Sequence, residues 1–123
     1  MRVLICGGRD PSSETCDAVW NWVMENCEPG DVVIHGAARG VDTQAMIAAQ
    51  TLPGVKHLPF AADWNAHGRA AVPIRNKRMI DEGKPDRVVA FAGGRGTENM
   101  IKQAHAAGLP VETFSETPKG ETP

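Results

Sequence analysis

Glycine-rich segments that carry an arginine follow two apolar runs of the sequence. The run Val3 to Cys6 leads into Gly7 to Asp10, and the run Val88 to Phe91 leads into Gly93 to Thr97. Glycine lets the backbone turn sharply and approach a bound molecule closely. A helix that begins after such a turn offers free N–H groups and the positive end of its dipole, which favour phosphate. The two segments predict a phosphate site, with Thr97 either capping the helix or donating its hydroxyl to the anion.

Arginines follow the ends of three predicted strands, at Arg9, Arg39 and Arg95. A guanidinium matches phosphate with a planar, bidentate fork. The alternative for each arginine is an internal ion pair, such as Arg39 with Asp10 or Asp42. We expect the three, together with Arg75, to surround one compact anion rather than to follow a polymer.

Two further segments carry side chains suited to a nucleoside. Trp64, in the long connection after the third predicted strand, is able to stack on a base or sugar, and Asp63 to accept from a ribose hydroxyl. The alternative for Trp64 is closure of the edge of the core. Asn76, beside Arg75 near the start of the next helix, is either a buried strut or a ligand contact.

Strand and helix patterns alternate along the chain. Strands are predicted over residues 3–6, 32–34, 55–60, 88–91 and 111–114, and helices between Ser12 and Glu28 and over 42–50, 74–82 and 97–107. This alternation predicts an α/β sandwich of three layers, with a parallel five-stranded sheet in the order 3-2-1-4-5. Ligands of such sheets bind beyond the carboxyl ends of the strands, here between the first and fourth.

Composition excludes several classes of protein. The 123 residues predict one domain, which we place at 1–114, followed by a flexible tail at 115–123. Thirteen basic and fifteen acidic residues give a net charge of −2, and only 5% of residues are aromatic, so we expect no nucleic-acid partner. No run approaches the roughly 20 apolar residues of a membrane span.

Cysteine and histidine usage predicts neither metal nor cofactor. The three cysteines form no close pair, and no Cys or His pair has the spacing of a zinc site. An odd number of cysteines favours reduced thiols, so we expect a cytoplasmic protein.

Taken together, these motifs resemble the SLOG superfamily of Rossmann-like nucleotide-binding proteins, in particular its small YspA-like branch, found in bacteria and phages. The matching pieces are Cys6 to Asp10, His35 to Asp42 (which contains Gly36 and Arg39), Ala62 to Trp64, Arg75, Asn76, Met79 and Gly93 to Thr97. The resemblance spans Val3 to about Val111. It implies a ligand site built from Gly7, Gly8, Arg9, Asp10, Gly36, Arg39, Asp63, Trp64, Arg75, Asn76, Gly93, Gly94, Arg95, Gly96 and Thr97, and it implies self-association.

Two relatives of that superfamily point to different activities. The lysine-decarboxylase-like phosphoribohydrolases share the Gly93 to Thr97 turn and an arginine like Arg75, but place a glutamate where this chain has Met100. Glu98 lies nearby in sequence and, with Arg75, is the candidate for a catalytic role. The segment Ala38 to Asp42 resembles DNA-processing protein A, a single-strand DNA binder.

We therefore expect a protein that binds a nucleotide or nucleotide-derived small molecule, as a sensor or a sequestering protein. The first alternative is a hydrolase of an N-glycosidic bond, which the missing glutamate disfavours. The second, less favoured, is a binder of single-stranded DNA.

Overall fold

A computed structural model describes residues 1–115 of the chain. Five strands form one parallel sheet in the order β3-β2-β1-β4-β5, which confirms the predicted fold class and strand order. The strands are β1 (Arg2–Cys6), β2 (Val32–His35), β3 (Lys56–Pro59), β4 (Arg87–Phe91) and β5 (Val111–Phe114). The predicted tail lies, except for Ser115, outside the described residues.

Alternate residues of β1 face opposite sides of the sheet, which creates the three layers. Val3 and Ile5 pack with α1 (Ser13–Asn26) and α2 (Val41–Thr51). Leu4 and Cys6 lie on the opposite face of the sheet. There they form a second apolar core with buried residues of the helices before and after β4. Because β1 and β4 are buried on both faces, they read as continuous apolar runs.

The connection from β3 to β4 is more helical than the sequence indicates. Instead of an irregular segment up to Pro73, it contains α3 (Trp64–His67) and a turn of 3-10 helix (Gly68–Ala70), and α4 then spans Ala71–Asp81. The prediction of a helix start at Ile74 was therefore wrong. Pro73 lies in the first turn of α4, where the N–H that proline lacks has no intrahelical acceptor.

The last helix, α5 (Arg95–Ala106), also begins earlier than predicted. Its N-cap is Gly94 rather than Thr97, which lies inside the first turn. The start of α1 is as predicted, since Ser12 caps it by accepting from the Thr15 N–H at 3.1 Å. Among residues 1–115, no helix has the length and apolar character needed to cross a membrane.

Candidate ligand-binding site

A cavity of about 650 Å³ lies at the carboxyl ends of β1 and β4. Its walls come from the turns after these strands, from the start of α2 and from the facing sides of α4 and α5. The predicted site residues that line it are Gly7, Gly8, Arg9, Trp64, Arg75, Asn76, Gly94, Arg95, Gly96 and Thr97. Its volume is in the range of small-molecule sites in proteins.

Backbone hydrogen bonds of Gly8 join the three turns at this rim of the sheet. The Gly8 N–H donates to the carbonyl oxygen of Ala92 at 2.9 Å, and the Gly8 oxygen accepts from the Val41 N–H at 3.0 Å. A Cβ on Gly8 would lie 3.1 Å from the Ala92 oxygen, which is tighter than ordinary contact. The cavity is therefore bounded by a connected backbone frame rather than by separate loops.

The start of α5 forms one wall of the cavity. No side chain caps this helix, although Gly94, Arg95, Gly96 and Thr97 all line the cavity. The first N–H groups of an α-helix have no acceptor within the helix, and they lie at the positive end of its dipole. This wall is thus suited to an anion. Of the two roles predicted for Thr97, capping is wrong because Gly94 is the N-cap, and donation of its hydroxyl to the anion stays a prediction.

The paired glycines of the β4 turn have different surroundings. A Cβ on Gly93 would overlap the Thr97 hydroxyl and lie 2.7 Å from the Gly8 nitrogen, so Gly93 is required for packing. A Cβ on Gly94 would meet no atom of residues 1–115 within 4 Å. Of the two, only Gly94 offers open space beside the cavity.

Arg75 lies in a buried polar cluster beneath the cavity. Its Nη1 donates to the Gly36 carbonyl at 2.6 Å and its Nε donates to Asn76 Oδ1 at 3.0 Å. Asp42, which accepts from the Ala38 N–H at 3.3 Å, is the one carboxylate among the cavity-lining residues of the described part. Burial raises the pKa of Asp42 to about 6, against the opposing effect of the Arg75 charge. The predicted ligand contact Arg75 is thus also a structural link.

Four guanidinium groups line the same cavity as the Asp42 carboxylate. Arg9, Arg69, Arg75 and Arg95 line the cavity, and Arg69 was not among the predicted site residues. The Arg9 guanidinium lies 5.3 Å from the ring centre of Trp64, a cation–π contact, and Trp64 is 50% exposed. The cavity therefore combines positive charge with an accessible aromatic face.

A smaller cavity of about 230 Å³ shares Arg9 and Trp64 with the main one as lining residues. It is lined by two of the remaining predicted residues, Gly36 and Arg39. Arg39 forms an exposed ion pair with Asp10 at 3.2 Å, which was one of its predicted alternatives. The structure thus places Arg39 at the border of the site, and the four predicted arginines do not share one cavity.

Other candidate residues lie outside both cavities. Asp10 lines neither, and neither does Asp63, whose Oδ1 caps α3 by accepting from the Ala66 N–H at 3.0 Å. Glu98 is exposed and lines neither cavity, while Met100 is fully buried in the core. The position at which the phosphoribohydrolases carry a glutamate therefore faces the core here.

Sequence reasoning missed Asn99, which lines the cavity. Asn76 Nδ2 donates to Asn99 Oδ1 at 3.1 Å and to the Gly96 carbonyl at 3.0 Å, so the amides join α4 to α5. Asn99 lies three residues after Gly96, on the same face of the helix. That spacing is the signal from which it was identifiable.

Two buried groups near the site are held in neutral form. Burial raises the pKa of the Cys6 thiol to about 12, so this cavity-lining cysteine is not a thiolate near neutral pH. Burial lowers the pKa of His35 to about 4, and its ring contacts His57 at 3.0 Å. Within residues 1–115, no cluster of three or more histidine, cysteine, aspartate or glutamate side chains is arranged to hold a metal ion.

The parallel sheet with its cavity at the strand-order reversal defines a Rossmann-like α/β protein. Residues 1–67 match the YspA, cpYpsA-related SLOG family. The chain is also 36% identical over 129 residues to the Gene 61 protein of Mycobacterium phage D29, a match that covers 95% of this chain and 98% of that protein. The chain belongs to the YspA-related SLOG family.

Similar folds occur in solved structures. DNA processing protein A of Streptococcus pneumoniae matches with a TM-score of 0.79 and 20% identity, over 97% of this chain and 52% of that protein. Its counterpart from Helicobacter pylori, described in a single-stranded DNA binding mode, matches with a TM-score of 0.70 and 19% identity, over 97% and 67%. TM1055 matches with a TM-score of 0.68 and 20% identity, over 89% and 71%. At these low sequence identities, the similarity concerns the fold alone.

Proposed function

We propose that this protein binds a nucleotide or a nucleotide-derived small molecule in the cavity beyond β1 and β4. One combination of features in a single cavity carries the proposal. The cavity contains a helix start that no side chain caps, more guanidinium groups than carboxylates, and an exposed tryptophan. The first two features favour binding of a phosphate group, and the third favours stacking of a base.

The phosphate is proposed to lie against the first turn of α5. Gly94 leaves room for close approach, and the N–H groups of the first turn supply directed donors. Arg95 adds a guanidinium that has no ion-pair partner among residues 1–115. Together these groups favour a compact anion.

The base is proposed to stack on Trp64. Half of this residue is exposed, and Arg9 covers part of its ring. Stacking of a base on an aromatic side chain contributes about 1–3 kcal/mol, to which a neighbouring guanidinium adds.

Hydrolysis of an N-glycosidic bond is the alternative for the same cavity. Asp42 is the candidate acid, because it is a lining carboxylate whose burial raises its pKa to about 6. However, Asp42 is occupied by a backbone N–H and the Arg75 charge, and position 100 faces the core. We therefore propose binding without turnover, in a sensing or sequestering role. Release of free base from nucleoside monophosphates at enzymatic rates would contradict this.

Single-stranded DNA is the second candidate ligand. The similarity in fold to DNA processing protein A, whose single-stranded DNA binding mode is described for the Helicobacter pylori protein, weakens the expectation that nucleic acid is not a partner. The positive groups here lie within a cavity rather than along a groove, which favours a small anion.

The test uses the full chain. Small molecules released from the purified protein on denaturation are identified by mass spectrometry, and calorimetry measures binding of mononucleotides. A gel-shift titration with a mixed single strand is run at two salt concentrations, and light scattering tests the self-association implied by the resemblance. Binding of a mononucleotide supports the proposal. Steeply salt-dependent binding of the strand, without binding of any mononucleotide, favours DNA instead.

A further inference from the structure

The side-chain amide of Asn99 is held in one orientation. Its Oδ1 accepts from Asn76 Nδ2 at 3.1 Å and from Gln103 Nε2 at 2.8 Å. The two donors are fixed in turn: Arg75 Nε, which only donates, binds Asn76 Oδ1, and the Pro73 carbonyl, which only accepts, binds Gln103 Nε2. Because both neighbouring amides present an NH2 group, Asn99 must offer them its oxygen.

The NH2 group of Asn99 is consequently free for another partner. It makes no hydrogen bond within residues 1–115, and Asn99 lines the main cavity. An asparagine that rotates freely offers either a donor or an acceptor, but here the oxygen is already engaged twice. Asn99 therefore supplies the cavity with donors.

The donor on Asn99 lies further along α5 than the proposed phosphate subsite at the start of the helix. Asn99 lies three residues after Gly96, nearly one helical turn or about 4.5 Å along α5. Asn76 binds both residues, since its Nδ2 donates to the Gly96 carbonyl at 3.0 Å and to Asn99. A phosphate at the helix start thus places the sugar or base, rather than a phosphate oxygen, beside Asn99.

We propose that Asn99 is a specificity-determining residue that donates a hydrogen bond to an acceptor atom of the ligand's nucleoside part. The inference rests on the proposed function and narrows it. The ligand class is a nucleoside phosphate whose sugar or base presents an oxygen or an unprotonated ring nitrogen one helical turn from its phosphate. Inorganic phosphate and pyrophosphate have no sugar or base and therefore lack this acceptor.

A purely structural role of Asn99 predicts different behaviour, and Asn99→Asp separates the two. Aspartate keeps an oxygen for Asn76 and Gln103, so both internal hydrogen bonds remain. It replaces the NH2 group with a second acceptor, which repels an acceptor of the ligand. Loss of nucleotide binding with unchanged thermal stability therefore identifies a ligand contact.

The experiment measures, by calorimetry on the full chain, the affinity for AMP, GMP, CMP, UMP and pyrophosphate. We expect Asn99→Asp to weaken the tightest of the four nucleotides at least about tenfold. Pyrophosphate controls for the added negative charge, which acts on its phosphate groups as it does on that of the nucleotide, so the nucleotide is expected to lose more affinity than pyrophosphate does. Asn21→Asp is the matched control, because it makes the same chemical change at an exposed residue of α1 that lines neither cavity.

A second measurement uses the wild-type protein, so it does not depend on the folding of a variant. Analogues of the tightest nucleotide that each lack one acceptor, such as a 2′-deoxy or deaza form, are compared with it. One analogue is expected to bind the wild type at least about tenfold more weakly than the parent nucleotide does, and Asn99→Asp should then weaken this analogue no more than it weakens pyrophosphate.

Three results overturn the inference. If Asn99→Asp binds the nucleotide as tightly as the wild type does, Asn99 makes no ligand contact, while the proposed function stands. If nucleotide and pyrophosphate are weakened equally, the effect is one of charge. If the wild type binds neither pyrophosphate nor any of the nucleotides, the proposed function fails and the inference fails with it.

Discussion

The guanidinium of Arg75 donates to the carbonyl oxygen of Gly36, 39 positions earlier in the chain, at a distance of 2.6 Å. The contact ties α4 to the turn that follows β2. A Cβ on Gly36 would overlap this guanidinium and lie 2.9 Å from Asp42 Oδ2. A glycine predicted to approach a ligand thus makes room for an arginine of the protein itself.

Arg75→Ala is expected to lower the free energy of unfolding by about 1–3 kcal/mol, because it removes the positive charge that opposes the effect of burial on Asp42. The Gly36 carbonyl also loses its donor. Urea denaturation measures the change. Lys77→Ala is the matched control, since it removes an exposed i,i+4 ion pair on the same helix and is expected to cost at most about 0.5 kcal/mol. Similar losses in the two variants would show that Arg75 is not a structural link.

The fold was predictable from sequence because its signals are local. Val3 to Cys6 and Val88 to Phe91 are continuous apolar runs, as expected of strands buried on both faces, and Ser12 marks a helix start. Helices α4 and α5, which have no side-chain cap, begin earlier than the sequence indicates, at Ala71 and Arg95.

The roles of individual site residues were less predictable, because side-chain partners depend on distant parts of the chain. Arg39 and Asp10 lie 29 positions apart in a pair, and Asn76 reaches Asn99 across 23 positions. No local pattern shows that Arg75 binds the Gly36 carbonyl or that Asn76 binds Asn99. Sequence therefore indicated the edge of the sheet that holds the cavity, whereas packing determines which side chains reach it.

The glycines of the β4 turn are expected to respond differently to valine. Gly94→Val should keep the fold, because its Cβ meets open space, and should reduce pyrophosphate and nucleotide affinity by filling the proposed phosphate subsite. Gly93→Val should destabilise the protein by roughly 1–3 kcal/mol through overlap with Thr97 and Gly8. Thermal unfolding and calorimetry on both variants provide the test. Unchanged ligand binding by a folded Gly94→Val protein would place the phosphate elsewhere.

Arg95 and Arg39 are also expected to contribute unequally. Arg95 lines the main cavity, whereas Arg39 borders the small one and pairs with Asp10. Arg95→Ala should weaken nucleotide binding at least about tenfold, as expected for a lost charge-assisted hydrogen bond. Arg39→Ala should weaken nucleotide binding less, because the Arg39 guanidinium lies outside the main cavity. It is also largely exposed to solvent, where charge interactions are weak. Calorimetry at two salt concentrations measures both, and equal losses would indicate a wider anion-binding surface.

Asp42 and His35 are expected to give opposite contributions to the dependence of stability on pH. Burial raises the pKa of Asp42 from 3.8 to about 6, so between these values the folded protein binds more protons at this site than the unfolded chain. The free energy of unfolding therefore falls as pH rises through that range. Burial, with the charges of His57 and Arg75, lowers the pKa of His35 from 6.5 to about 4, so this contribution rises with pH between 4 and 6.5.

Single substitutions should separate the two contributions. Relative to the wild type, Asp42→Asn should become more stable as pH rises from 4.5 to 6, because only the His35 contribution remains. His35→Asn should become less stable over the same range, since its oxygen still accepts from the Ala37 N–H while the titrating ring is gone. Each change is expected to be about 1–2 kcal/mol. Urea denaturation at pH 4.5, 5.2 and 6 measures it, and variants whose profiles run parallel to the wild type would mean that neither group titrates in this range.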